Sequence, residues 1–505
     1  MTPPYPMKRR EHPCDDSAMR DEHASRAGRG RKSGPLPWAA PCDTMRPTDW
    51  MGGTTMTEAA NVTAALAEKA AALRFQHLTP QARTVAKQCL LDFLGVTLSG
   101  MDEPLSDILS DIAEEDGGRA EATVIGRGMR TSLSNAALIN GAMSHALDYD
   151  DVNLTMGGHP TVPVAPAALA LAESRKMSGR DLITAIVAGV EMECRLGELV
   201  GKSHYDKGWH NTGTLGAFGA AAACANLLGL DIERTRQAMG IAGTQAAGLK
   251  SMFGTMTKPL HAGKAAQNGL QAARWAQKGF TANASVLDVP QGFVATASST
   301  PSPDAALADP PGGFHTTDTV FKYHAACYMT HSSIEAVKTL KERHKLKGDD
   351  IERVTLRVDP GHLKVCNIAE PKTGLEIKFS LRFTAAMALA GRDTSNDAVY
   401  TDALTREPDL VALRDKVVVE TRHHDHNSAA EVVVRLRDGR ELSETTDVGI
   451  PMTDLDAQWA KLESKFRALV TPILGEARTS QLTRLCRDLD SVEDIGEVMK
   501  LTVKN

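Results

Sequence analysis

The chain has 505 residues, more than one hydrophobic core commonly holds, so its length predicts two folded domains and a tail. The formal net charge of −6 argues against a nucleic-acid-binding protein. No apolar stretch has the length of a membrane span, and the eight cysteines form no CxxC pair, so we expect a cytoplasmic protein with free thiols. Aromatic residues make up only 4% while alanine is abundant, which favours closely packed helices.

Residues 1–58 differ in composition from the rest of the chain. They contain PPYP, RREH and GRGRKSGP with little hydrophobic periodicity, which predicts a disordered tail. Met56 begins a helix-like run that resembles a natural start, so we expect residues 1–55 to be dispensable. A transit peptide is the alternative interpretation of this segment.

Residues 59–318 carry almost exclusively helical signals and predict an all-helical domain. Thr79-Pro80 predicts a helix start, because proline is tolerated in a first turn, and Gly100 predicts the end of that helix. Further Ala-rich helices are predicted at 162–177, 180–200, 210–229, 234–248 and 262–279.

The pattern of residues 319–451 predicts a smaller α+β domain inserted between helical segments. The segment 351–360 alternates as a strand does, and so do two runs around 417–444. Asp438-Gly439 within the second run indicates a hairpin turn.

Helical periodicity returns from Met452. We therefore expect residues 452–505 to pack back on the first helices and complete a discontinuous helical domain. The predicted fold class is mainly α, with a large all-helical domain and a smaller α+β insert.

Two patterns suggest a bound cofactor, and neither is complete. Leu196 stands where a phosphate loop ending at Gly201-Lys202-Ser203 needs glycine. The run HHDH at 423–426 lacks a spaced carboxylate or cysteine partner, so a solvated polar turn is the better interpretation. We expect neither a metal ion nor an organic cofactor.

Four segments concentrate acid–base residues. The segment NGAMSHALDYDDVNLTMGGHP holds His145, Asp148, Asp150, Asp151 and His159. The second segment holds His210 before an apolar helix, and the third holds Lys258 and His261 on either side of Pro259-Leu260. The fourth holds Lys322, His324, Cys327 and His331, where the helical pattern gives way to the mixed α+β pattern. Each residue alone is more commonly structural, but four clusters together indicate an acid–base site for an anion.

The segment around Lys258 carries a specific expectation. Pro259 biases the preceding residue towards an extended conformation, which predicts Lys258 in a loop and His261 at the start of the next helix. Free N–H groups of that helix and the ammonium could then face one carboxylate together.

At these motifs the chain resembles the MmgE/PrpD family, which includes 2-methylcitrate dehydratase, cis-aconitate decarboxylase and iminodisuccinate epimerase. The resemblance covers residues 59–505 and rests on DFLGVTLSG, NGAMSHALDYDD, GWHNTGTLGAFGAA, TKPLHAGKAA and KYHAACYMTH. It implies a helical domain with an α+β lid, a homodimer, and a site between the domains without metal or cofactor.

The resemblance also carries residues over to the site. It implies Asp148, His159, His210, Lys258 and Lys322 as catalytic residues, and Asp151, His261, Cys327 and His331 as substrate-binding residues. Cis-aconitate decarboxylases carry threonine where this chain has Val152, and histidine where it has Cys327.

The expected chemistry is removal of a proton next to a carboxylate of a small polycarboxylate. Fixed cations such as Lys258 and Lys322 would stabilise the developing charge, while histidines and Asp148 move protons. The first interpretation is a 2-methylcitrate dehydratase-like lyase. The alternatives are an epimerase or racemase, a cis-aconitate-type decarboxylase, and a non-catalytic helical dimer. Which residue is base and which is acid stays open at this stage.

Overall fold

The computed structural model describes residues 61–504, so the predicted tail at 1–58 lies outside the described residues. The N-terminal part of the described chain is a helical body. Its helices are α1 (Val62–Ala72), α2 (Pro80–Ser99), α3 (Pro104–Asp116), α4 (Leu133–Ser144), α5 (Thr161–Arg175), α6 (Gly179–Asp206), α7 (Asn211–Leu227), α8 (Ile232–Gly243), α9 (Thr257–Gln277), α10 (Phe293–Ala297) and α11 (Pro303–Leu307). The strands β1 (Ala122–Thr123) and β2 (Arg130–Thr131) form a short antiparallel pair beside α4.

Helix α2 begins and ends as the sequence predicts. The Thr79 side chain accepts a hydrogen bond from the Ala82 amide, Pro80 occupies the first helical position, and Gly100 follows the last turn. Helix α9 begins earlier than predicted, at Thr257, so Lys258 lies in its first turn and the expected extended loop is wrong. Proline fits there because the amides of a first turn have no helical partner to lose.

Small residues let the central helices approach closely. A Cβ added at Gly263 of α9 would lie 2.2 Å from the Leu138 carbonyl oxygen of α4, and one at Gly141 would lie 2.9 Å from the Gly263 Cα. The α4–α9 crossing therefore has no room for side chains, and it fixes both helices that flank the site described below.

The α+β part follows the helical body. Its elements are α12 (Tyr328–His344), β3 (Ile351–Val358), α13 (Gly374–Ile377), α14 (Leu381–Ala390), α15 (Pro408–Arg414), β4 (Val417–Thr421), β5 (Ala429–Leu436) and β6 (Glu441–Asp447). The strand order is β4-β3-β5-β6, with β3 and β4 parallel and the other pairs antiparallel. Asp438-Gly439 lies in the turn between β5 and β6, which confirms the predicted hairpin.

The C-terminal helices α16 (Leu455–Leu474), α17 (Glu476–Arg487) and α18 (Gly496–Leu501) share the core of the helical body. Lys465 of α16 is buried and donates to Asp92 of α2 at 2.6 Å and to the Tyr149 carbonyl at 2.7 Å. This ion pair joins the last part of the chain to the first.

The expected class, mainly α with a small α+β part, is confirmed, while the domain boundaries at 319 and 452 stay predictions. Across residues 61–504, every helix is too short or too polar to cross a membrane.

Candidate active site

The site is built on the segment that leaves α4. His145 caps the end of α4, and Asp148 follows with a φ of 52°, a left-handed conformation that non-glycine residues adopt rarely. Lys322, which is 1% exposed, donates from Nζ to the Asp148 carbonyl oxygen. This contact holds the segment in its strained turn.

Asp148 is the centre of an ion triplet. Its Oδ1 lies 2.6 Å from Lys258 Nζ and 3.2 Å from Lys322 Nζ. Burial alone would raise the pKa of Asp148, but Lys258 and then Lys322 outweigh it and hold that pKa well below its usual value. Two ammonium groups from distant parts of the chain therefore converge on one point.

His159 faces three oxygen atoms. Its Nδ1 lies 2.9 Å from the Asp150 carboxylate and 2.9 Å from the Asp151 carbonyl oxygen, and its Nε2 lies 3.5 Å from Asp148 Oδ1. Asp150 is buried; burial opposes its charge, but His145 and His159 keep its pKa well below the usual value. The imidazole of His159 therefore has an acceptor at each edge.

His210 and His261 form a second imidazole pair. His210 occupies the position before α7, as the sequence predicts, and its Nδ1 lies 3.0 Å from Nδ1 of His261. Burial, followed by the charges of His145 and Lys258, lowers the pKa of His210 well below its usual value. Burial and Lys258 also lower the pKa of His261. Both rings are therefore neutral near pH 7.

Asp151 is not placed as expected for a substrate-binding residue. Its buried carboxyl accepts from the Thr161 hydroxyl and, at 3.4 Å, from the Thr161 amide at the start of α5. Burial and the charge of Asp92 raise the pKa of Asp151 to about 8. The side chain anchors a helix start and leaves only its backbone carbonyl to the site.

Cys327 and His331 lie on the α+β side. Cys327 precedes α12, and its amide donates to the Lys378 carbonyl at 2.9 Å. His331 donates from Nε2 to the Ala326 carbonyl at 3.1 Å, and its ring lies 5.0 Å from that of His324. Neither makes a hydrogen bond to the ion triplet in the described part of the chain, so their contact with a substrate stays a prediction.

Seven side chains form a cluster that fits an anion better than a metal ion: His145, Asp148, Asp150, His159, His210, Lys258 and Lys322. His145, Asp148, Asp150 and His159 each place one ligand atom within 4.8 Å of the others, a spacing that suits a cation. However, Lys258 and Lys322 already neutralise Asp148 and would repel a divalent ion. The same ammonium groups are suitable partners for carboxylates of a substrate.

A separate surface concavity of about 710 Å³ lies between α3 and the β1–β2 pair. It shares no residue with the cluster, and its two arginines are already paired, Arg127 with Asp107 and Arg130 with Glu173. We therefore place the candidate active site at Asp148.

Sequence reasoning assigned no role in the site to two residues of this cluster. His145 and Asp150 stood in the acidic segment, but nothing in their spacing separates them from an ordinary polar helix end. In the structure both are 1% exposed and in contact with each other. The available signal was the density of ionisable residues between two buried helices.

The fold places histidines, carboxylates and two lysines together on a mainly helical scaffold, a combination that acid–base enzymes use. The chain belongs to the MmgE/PrpD family: the model of its N-terminal domain matches residues 64–306, and that of its C-terminal domain matches residues 324–490. The family resemblance of the motifs is thereby confirmed.

Curated relatives align over most of both chains. The chain is 29% identical to cis-aconitate decarboxylase of Homo sapiens over 458 residues, which is 87% of this chain and 94% of the relative. It is 28% identical to cis-aconitate decarboxylase of Mus musculus (87% of this chain, 93% of the relative). The enzyme of that name from Aspergillus terreus is also 28% identical, covering 82% of this chain and 90% of the relative.

Proposed function

We propose that the chain is a lyase that decarboxylates a cis-aconitate-like unsaturated tricarboxylate. The observation that carries the proposal is the convergence of Lys258 and Lys322 on one point beside His159. The names of the curated relatives support decarboxylation over our first interpretation, a 2-methylcitrate dehydratase.

The reaction needs cations and a proton donor. Cleavage of the C–C bond releases CO₂ and leaves an electron pair, which delocalises through the alkene onto a remaining carboxylate. A proton then adds to carbon, so a tricarboxylate plus one proton gives a methylene dicarboxylate plus CO₂. Lys258 and Lys322 would hold the carboxylate on which the charge develops.

His159 is our candidate for the proton donor. A proton on either ring nitrogen faces an oxygen acceptor, since Nδ1 is directed at Asp150 and Asp151 and Nε2 at Asp148. His210 is neutral and buried, so it suits hydrogen bonding to the substrate better than proton donation.

Dehydration is the second candidate function. Val152 and Cys327 replace the threonine and histidine that our motif comparison expects in decarboxylases. Loss of water would use the same cations, with one group removing a proton next to a carboxylate and another protonating the leaving hydroxyl.

The test is incubation of the purified protein with a panel of polycarboxylates in deuterated water. Decarboxylation predicts CO₂ release from cis-aconitate with one deuterium incorporated into the product. Alkene formation from a hydroxy acid without CO₂ would replace our proposal with dehydration. Solvent exchange without net reaction would indicate an epimerase, and no reaction with any substrate would leave the non-catalytic alternative.

A further inference from the structure

Asp150 lies between two imidazoles. His145 Nδ1 is 3.0 Å from both of its oxygens, and His159 Nδ1 is 2.9 Å from Oδ2. An ionised carboxylate only accepts hydrogen bonds, so both Nδ1 atoms carry a hydrogen. Nε2 is then the nitrogen that each ring presents elsewhere.

His145 is a buried neutral histidine with one nitrogen unused. Burial, acting against the charge of Asp150, lowers its pKa to about 4, and Nε2 has no hydrogen-bond partner within residues 61–504. Its ring lies 4.6 Å from that of His159 and 5.8 Å from that of His210, nearly parallel to the latter. An unpaired buried nitrogen costs stability, which points to a role in function.

His159 is held along one edge. Its Nδ1 faces Asp150 and the Asp151 carbonyl, and its amide donates to the Thr212 hydroxyl at 3.1 Å. The ring contacts His145 on one side and directs Nε2 to Asp148 on the other. The orientation of the donor nitrogen thus depends on groups that themselves do not reach the ion triplet.

We propose that Asp150 and His145 are positioning residues that fix the ring and the protonated nitrogens of His159 for proton delivery beside Asp148. The inference rests on the proposed function of His159 as proton donor. Asp150 supplies the charge, and His145 packs against the ring and keeps the shared carboxylate in place.

The charge environment decides how a substitution acts. The titratable and charged groups around His159 and its carboxylate partners include Asp148, Asp150, His145, His210, Lys258 and Lys322. The charges of Asp92, Asp151 and Lys465 also interact with Asp150. Asp150→Asn removes one negative charge while an amide oxygen can still accept. A nearby negative charge favours the protonated imidazole, so its loss should favour the neutral ring. We therefore expect the basic limb of the plot of kcat against pH to move to lower pH by about one unit.

His145 is tested with two substitutions. His145→Phe removes the donor to Asp150, whereas His145→Asn keeps an N–H near the position of Nδ1. We expect kcat to fall about 100-fold in the phenylalanine variant, with a smaller change in KM, and to recover in part in the asparagine variant.

His204→Phe is the matched control. His204 is equally buried in the helical body, and its nitrogens bond to the Ala297 carbonyl and the Thr214 hydroxyl, outside the cluster. Both phenylalanine variants should lose similar thermal stability, but only His145→Phe should change the pH profile. Equal kinetic effects of the two variants, or a normal profile for Asp150→Asn, would overturn the proposal.

Histidine-selective ¹⁵N NMR provides a reading that needs no turnover. With signals assigned from the variants, His145 should remain the neutral Nδ1–H form from about pH 6 to pH 8. The His159 signals should change in Asp150→Asn. An Nε2–H form of His145, or unchanged His159 signals, would contradict the positioning role. A wild-type protein without activity would instead contradict the proposed function alone.

Discussion

At the scale of a single residue, Asp148 holds two positively charged side chains close together. In the absence of substrate, its carboxylate keeps two lysine ammonium groups within 3.2 Å of one oxygen. Without Asp148 the two cations would repel one another across a partly buried site. Under the proposed function, a substrate carboxylate would bind to this preorganised pair of cations.

Lys258→Ala should lower kcat/KM by roughly 100-fold or more, because it removes a preorganised contact to the developing charge. Lys258→Arg should restore little activity, since a planar guanidinium is larger than the ammonium group. Steady-state kinetics measure both effects, and circular dichroism checks the fold.

Lys264→Ala is the control for Lys258. Lys264 is exposed on the same helix and donates to Gln267. If Lys258→Ala retained near-normal turnover with an intact fold, or if Lys264→Ala lost as much activity, the ion triplet would have no role in catalysis.

Asp151 predicts a pH dependence of stability. Its pKa is about 8 in the fold, well above the usual value of an aspartate, so the folded protein keeps a proton at pH values where the unfolded chain has lost it. A raised carboxyl pKa contributes stability at low pH that is lost as pH rises towards 8. Asp151→Asn should therefore show a smaller decrease in Tm from about pH 5 to pH 8 than the wild type. Identical Tm–pH slopes for the two proteins would contradict the buried, protonated state of Asp151.

Some residues of the site could be predicted from sequence motifs, and the role of others depends on tertiary structure. Asp148, His210 and Lys258 stand in distinct motifs, and the structure brings them into one cluster with His159 and Lys322. The role of Asp150 depends on the return of the chain from α4 to His159, which no local pattern encodes. Asp151 matched a site motif, but only tertiary structure shows its side chain turned to Thr161.

At the scale of elements, local capping and proline placement predicted the position of α2, and an uninterrupted run of apolar and small residues predicted that of α7. The predicted start of α9 was wrong because the preference of a residue before proline for an extended backbone is weaker than the packing that holds a helix. The close approach of α4 and α9 was also beyond local signals, since it depends on Gly141 and Gly263 facing each other.

Gly263→Ala tests this crossing. Alanine normally stabilises a helix relative to glycine, but here its methyl group would lie 2.2 Å from the Leu138 carbonyl. We expect the free energy of unfolding to fall by about 1–3 kcal/mol because the helices must separate. Since α9 carries Lys258 and α4 leads to Asp148, kcat/KM should fall as well.

Denaturant unfolding and kinetics measure these two effects. Gly128→Ala is the control, because a Cβ there meets no atom within 4 Å. An increase in stability in Gly263→Ala, as for an ordinary helical glycine, would show that the crossing tolerates a side chain.

At the scale of the whole molecule, the segment from His145 to Asp151, here the site segment, contacts both the helical body and the α+β part. The Tyr149 ring lies against Lys465 of α16, with Nζ 3.9 Å from the ring centroid, and its hydroxyl donates to the Ser395 carbonyl at 3.0 Å. Tyr149 therefore contacts both parts of the fold between Asp148 and Asp150, and we expect it to transmit their relative placement to the site.

Tyr149→Phe removes only the hydroxyl contact to the α+β part and leaves the ring on Lys465. Tyr400→Phe is closely matched, because the Tyr400 hydroxyl donates to the neighbouring Thr394 carbonyl at 2.9 Å but from within the α+β part. Each substitution should lower the free energy of unfolding by about 1 kcal/mol, the usual contribution of one hydrogen bond. Only Tyr149→Phe should also change kcat or KM, because only Tyr149 adjoins Asp148. Equal stability losses with unchanged kinetics in both variants would show that the site segment does not depend on its contact with the α+β part.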